Sequence, residues 1–244
     1  IHFQFATAIP IATALAQTFN EELLEKIGDL VGKEMEIFGV NLWLAPGLNI
    51  HRNVLNGRNF EYFSEDPLVS GLVAGAITRG VQSHPKRSTT IKHLACNGQE
   101  FNRFNSNSML SERALREIYL RGFKIAIDSS SPHALMTSYN LINGVHSSER
   151  SELIRDVLRS EWGYEGLVMS DWFSSGSTPI GLANHPAQYA VNNIVNGNNL
   201  QMGGGEADYN LVMEAYRKGI ITKEHLYECA SKVYEIIELL SQEE

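Results

Sequence analysis

The sequence predicts an α/β fold, a (β/α)8 barrel of the TIM type that is incomplete at its N-terminus. Three observations predict it. Apolar strand-like runs alternate with longer amphipathic runs, the pattern of a parallel sheet with helical crossovers. Each strand-like run ends in polar, chemically capable residues, as a barrel requires when its site collects at the C-terminal strand ends. The competing open, doubly wound sheet would carry a glycine-rich phosphate loop after its first strand. Here Gly203-Gly204-Gly205 comes late, outside any strand–loop–helix context.

The elements follow in order. Asn20 is suited to cap a helix that carries Leu23, Leu24, Ile27, Leu30 and Val31 on one face. Residues 39–46 (GVNLWLAP) read as a buried strand, followed closely by Asn49 and His51. Asp66-Pro67 reads as N-cap and first position of a helix reaching about Gln82. A second strand, 89–96 (TTIKHLAC), contains Lys92-His93. Ser111 opens a helix expected to turn Leu115, Ile118, Tyr119 and Phe123 inward. The third strand, 133–140 (HALMTSYN), ends in Tyr139-Asn140; a helix over 151–162 follows. The fourth, 166–172 (GLVMSDW), ends in Asp171, and a weaker one spans 198–202. A final helix covers 222–240. With fewer than eight strands and no linker or repeat, residues 1–244 read as one partial barrel domain.

Composition narrows the function. The chain has 244 residues, 43% hydrophobic and 20% charged, with a net charge of −8. That balance disfavours nucleic acid and anionic membranes as partners, since both select clustered Lys and Arg. No apolar run reaches the roughly 18 residues of a membrane span. Cys96 and Cys229 are far apart, and Cys96 sits in an apolar run, so a buried thiol and a reducing, cytoplasmic compartment are mildly favoured. Secretion stays open, because the chain begins at Ile1 and a leader would be invisible.

The strongest local feature is Asp171 with Trp172. A carboxylate at the end of a buried strand is expensive to desolvate and marks functional sites; the alternative is a cap for the next helix. Sugar sites use this pair, a carboxylate for chemistry and an aromatic face for the ring. Residues 45–67 form a long loop rich in polar and aromatic groups. There Arg58 and Glu61 lie three apart, either as a structural ion pair or with Arg58 offering donors to a ligand. Lys92-His93 near a strand end reads as a pocket pair, against a buried His beside a snorkelling Lys. His93 belongs to no metal-spaced cluster, so no metal is expected. No GxSxG, Walker loop or CxxC is present, which disfavours serine-hydrolase and nucleotide chemistry and leaves carboxylate chemistry; no cofactor is expected.

The chain resembles glycoside hydrolase family 3 of the β-glucosidase type. The resemblance rests on APGLNIHRNVLNGRNFEYFSEDP (45–67), IKHLACNGQEFNR (91–103), SERALREIYLRGF (111–123), MTSYNLINGVHSSER (136–150) and LVMSDW (167–172), in the family's order and spacing. It extends from TAIPIATALAQTFN (7–20) to the last helix. It implies a retaining exo-acting β-glucosidase that cleaves terminal β-linked glucose through a covalent glycosyl-aspartate. By the same resemblance Asp171 is the nucleophile and Trp172 the aromatic at the first sugar subsite. Arg58, Lys92, His93 and Tyr139 are the ligands of the sugar hydroxyls, and Met136 and Arg103 line the pocket. A retaining mechanism needs two carboxyl groups about 5 Å apart, and cations beside the nucleophile are expected to lower its pKa.

Several family features depart or are missing. An early aspartate in a DGPxGxR-like motif would lie before Ile1. The family's acid/base glutamate usually comes from an α/β sandwich domain of the same polypeptide, absent here. The branch with an Asp-His dyad carries Pro-Gly-His-Gly after the KH pair, whereas this chain has Leu-Ala-Cys-Asn-Gly-Gln at 94–99. Glu100 has Arg103 as a partner and reads as structural. Asn199 stands where the family often has Asp. The chain alone is therefore expected to be impaired, since acid catalysis contributes about 10²–10⁴ in rate. Its exposed barrel edge predicts self-association or marginal stability. A β-xylosidase or other exo-glycosidase of the family, or a non-catalytic sugar-binding barrel, are the alternatives.

Overall fold

The computed structural model describes residues 5–172 and 190–241. Helix α1 (Ala12–Ala16) precedes α2 (Glu21–Phe38), whose first turn is capped by the Asn20 side chain accepting from Leu23 N at 3.0 Å. Strand β1 (Leu42–Trp43) leads through the long loop to α3 (Pro67–Gln82), capped by Asp66 accepting from Leu68 N at 2.7 Å. Strand β2 (Ser88–Leu94) and the short β3 (Asn107–Ser108) follow. Next come α4 (Glu112–Ala114), capped by Ser111, a π-helical turn over Leu115–Tyr119, and α5 (Arg121–Ser130). Strands β4 (Ala134–Thr137), β5 (Leu141–Ile142) and β6 (Val145–His146) precede a π-helix over Glu152–Glu161. Then come β7 (Leu167–Met169), α6 (Ala190–Val195), α7 (Glu206–Arg217) and α8 (Lys223–Ser241).

The main sheet runs β1-β2-β4-β7 and is parallel throughout. A parallel bridge from Met169 to Leu200 extends it by one position, at the weaker strand expected over 198–202. β1 is shorter than expected. Its ladder stops at Trp43 and resumes as a bridge from Gly47 to Lys92, because Pro46 has no N–H to donate.

Strand residues alternate between two apolar layers. Ile91, Leu135 and Val168 face the helices, where they pack with Ile77, Phe123 and Leu153. Ala134, Met136, Leu167 and Met169 face the opposite side and meet Leu200, Met202, Ile236 and Leu240. The register sets Lys92 beside Met136 and Met136 beside Met169, one layer of the inner face.

Helix α2 meets α3 through glycine. A Cβ on Gly28 would lie 2.2 Å from Ile77 O, and one on Gly80 would lie 2.0 Å from Glu25 O. This close approach sets the buried face along Leu24, Gly28, Gly32 and Met35 and leaves Leu23 exposed, against expectation. Ile118 is likewise exposed. The i→i+5 bond from Leu120 N to Leu115 O shifts the helical phase, so that of the four residues expected inward Leu115 and Phe123 reach the core fully, joined by Leu120, with Tyr119 packed at its edge.

Candidate active site

The site is built on the ends of β2, β4 and β7 and on the loop after β1. Two residues beyond Met169, the Asp171 side chain is only 8% exposed. Its Oδ1 accepts from Trp172 N at 2.7 Å, and its Oδ2 lies 3.6 Å from His93 Nε2. Tyr139 donates its hydroxyl to the Trp172 carbonyl at 2.6 Å and shares it with the Asp171 carboxylate. Burial raises the Asp171 pKa above the ordinary carboxylate value; the Trp172 N–H, Arg58, Tyr139 and Lys92 oppose this without cancelling it. The lowering expected from nearby cations is therefore corrected: desolvation wins.

The cations are engaged elsewhere. Glu61 Oε2 accepts from Arg58 Nε at 2.7 Å, and Glu61 Oε1 sits 3.0 Å from Lys92 Nζ. Glu100 approaches the other side of Arg58 Nε at 3.8 Å and holds Arg103 at 3.0 Å. The reading of Glu100 as a structural partner of Arg103 agrees with this geometry. Gly47 makes room for the arrangement, since a Cβ there would lie 2.9 Å from the Tyr62 ring.

His93 is fully buried, and both ring nitrogens are occupied. Arg58 approaches Nε2 at 3.0 Å and Tyr62 hydroxyl approaches Nδ1 at 3.2 Å. A guanidinium only donates, so Nε2 accepts and the proton sits on Nδ1. Burial, then Arg58, Lys92 and Arg103, hold the His93 pKa well below its usual value. The imidazole is neutral, and its 3.6 Å approach to Asp171 is no ion pair. The Asn49 amide fixes the His93 backbone from both sides, accepting from His93 N and donating to His93 O, each at 2.8 Å. Lys92 and His93 both reach the site because the β2–β4 register shifts between Lys92 and Leu94, which breaks the alternation of a regular strand.

Of the residues expected at the site, Asp171, His93, Arg58, Lys92 and Tyr139 come together. Arg103 lies over the Tyr139 ring at 4.7 Å and over Phe104 at 5.1 Å. It backs Tyr139 from behind. Met136 belongs to the apolar layer of Lys92 and Met169, one step below Asp171. Trp172 is half-exposed at the rim. Sequence reasoning missed the link from Glu61 to Lys92, the Asn49 clamp and Tyr62. The signals for them were the Arg58–Glu61 spacing and the place of Asn49 just after the first strand. Among the described residues no group of three His, Cys, Asp or Glu side chains could hold a metal ion, and no helix is long and apolar enough to cross a membrane.

Residues 2–236 match the model of the glycosyl hydrolase family 3 N terminal domain. The chain belongs to glycosyl hydrolase family 3. Its fold is the TIM-type barrel of that domain: it superposes on beta-glucosidase 3B from Thermotoga neapolitana, solved in complex with glucose. The TM-score is 0.87 and the identity 42%, covering 95% of this chain and 32% of that one. The family 3 relatives by sequence include "Probable beta-glucosidase J" of Aspergillus fumigatus, 42% identical over 243 residues, and beta-glucosidase A of Butyrivibrio fibrisolvens, 41% identical over 220. These matches cover 97% and 90% of this chain but only 26% and 25% of the relatives. The chain thus spans about a quarter of the length of the curated relatives it matches.

Proposed function

We propose that this family 3 domain is the nucleophile-bearing barrel of a retaining exo-β-glucosidase. The observation that carries the reading is Asp171: a buried carboxylate just past the end of β7 that touches a neutral imidazole and a tyrosine hydroxyl and, among the described residues, no Lys or Arg directly. Such a carboxylate has an oxygen free to attack an anomeric carbon. Arg58 and Lys92 bring donors for sugar hydroxyls beside it, His93 holds Arg58 in place, and Trp172 offers an aromatic face. Hydroxyl contacts that tighten as the ring flattens would lower the barrier rather than deepen ground-state binding.

Retention requires a second carboxyl group as acid and then base. Glu61 and Glu100, the other carboxylates of the cluster, are each tied to cations, which makes both poor proton donors. The proton donor in this reading comes from a sandwich domain of the same polypeptide, and residues 1–244 act as one partial barrel. Activity of the isolated domain is then expected mainly on substrates whose leaving groups need no protonation.

Covalent trapping with 2-deoxy-2-fluoro-β-glucosyl fluoride tests the reading, because fluoride departs with little acid help. Peptide mapping is expected to find the label on Asp171. Asp171→Asn is expected to abolish labelling and to lower turnover by on the order of 10⁴ or more. A label on another residue, or Asp171→Asn turning over normally, would overturn it.

A further inference from the structure

Glu61 has no part in the proposed chemistry, yet its carboxylate bridges two cations of the cluster. One oxygen takes Arg58 and the other takes Lys92, at 2.7 and 3.0 Å. All three side chains are largely withdrawn from solvent, at 21%, 17% and 14% exposure. The contacts therefore act at short range in a weakly screened setting, unlike a surface pair. Lys92 belongs to β2 and Arg58 to the loop after β1, so this carboxylate joins two elements across the site.

We propose that Glu61 is a positioning residue: it tethers Arg58 and Lys92 together, aims both at sugar hydroxyls, and keeps both from pairing with the Asp171 nucleophile. This deepens the β-glucosidase reading and rests on it. The charge balance favours it. Arg58, Lys92 and Arg103 each have Glu61 or Glu100 within 4 Å, while among the described residues Asp171 has His93, Tyr139 and the Trp172 N–H, and no Lys or Arg, at contact distance. A nucleophile locked in an ion pair would be stabilised before reaction and less able to attack. The groups facing Glu61 are Arg58 and Lys92, with Glu100 beyond Arg58; those facing Asp171 are His93 and Tyr139, with Arg58 and Lys92 further out. Neutralising Glu61 releases two positive charges toward Asp171 and removes a nearby negative one, so the nucleophile should ionise at lower pH.

The test is the pH dependence of covalent inactivation by 2-deoxy-2-fluoro-β-glucosyl fluoride in the full-length polypeptide, comparing Glu61→Gln and Glu61→Asp with the parent. Fluoride needs no acid, so the acid limb reports the nucleophile's ionisation in the free enzyme. Glu61→Gln is expected to move that limb down by roughly half a pH unit or more and to weaken the inactivator's apparent affinity severalfold. Glu61→Asp keeps the charge but spans less distance. It is expected to weaken affinity while leaving the limb in place, and it reads the proposal even where Glu61→Gln fails to fold. An unmoved limb in Glu61→Gln, or a limb moved by Glu61→Asp, overturns the inference while label on Asp171 leaves the β-glucosidase reading intact. Parent enzyme that labels elsewhere, or not at all, overturns both.

Discussion

At the scale of single residues, burial and pairing decide more than proximity. Arg58 and Lys92 lie close to Asp171, yet their charge is directed at Glu61, and desolvation sets the direction of the Asp171 shift. Asn199 shows the same logic outside the site. Its Oδ1 accepts from Arg159 at 2.9 Å and from Val168 N at 3.1 Å, while its Nδ2 is buried without a partner. Arg159 also donates to the carbonyls of Tyr164 and Gly166 and lies over the Tyr164 ring, and among the described residues no carboxylate pairs with it. Asn199→Asp removes the orphaned donor and gives a half-buried guanidinium its anion. It is expected to stabilise the fold by about 1–2 kcal/mol, seen as a Tm rise of roughly 2–8 °C for a domain of this size. A lower Tm would show that desolvating the new charge outweighs the pair. The sequence registered Asn199 as a departure but not which role it has, because its partner Arg159 lies 40 positions away.

At the scale of elements, the two crossings of α2 with its surroundings make distinct forecasts. Gly28 sits where any side chain strikes the Ile77 carbonyl. Gly28→Ala is expected to cost about 1–3 kcal/mol through overpacking, measurable by denaturant titration, although alanine normally favours a helix. At the far end of α3, His84 is a latch: Nε2 lies 2.9 Å from Asp29 and Nδ1 3.0 Å from Glu36, both on α2. Burial opposes its protonation, but the bonds to Asp29 and Glu36 outweigh burial and raise its pKa. A raised folded-state value means the latch stabilises fully below the unfolded value near 6.5 and fades as pH rises through the folded value. The Tm gap between the parent and His84→Gln is accordingly expected to be wider at pH 5.5 than at pH 8.5; an equal gap at both would rule out the latch. Helix caps at Asn20, Asp66 and Ser111 were legible because a cap is a local event. The outward turn of Ile118 was not, since a π-turn breaks the 3.6 period used to read it. The hairpin of β5 and β6 was missed despite Asn143-Gly144, both at positive φ and suited to a type I′ turn.

At the scale of the molecule, the order of strands and the end of the barrel that bears the site were legible. Both follow from alternation and from polar residues at strand ends, properties of the chain itself. The wiring between Glu61, Lys92 and Arg58 was not, because it depends on the register shift in β2 that brings Lys92 and His93 to one pocket. Cys96 is buried and Cys229 half-buried, and desolvation holds both thiols up, Cys96 to about 12 and Cys229 to about 11, so neither offers a thiolate near neutral pH. One last feature gives the molecule an optical signal of its own. Of its three tryptophans, Trp43 and Trp162 pack against the core, while Trp172 stands 48% exposed beside Asp171. A ring stacking there would change the emission of that one indole against a constant background. Occupancy could then be followed by light alone, with no chromogenic substrate and no turnover.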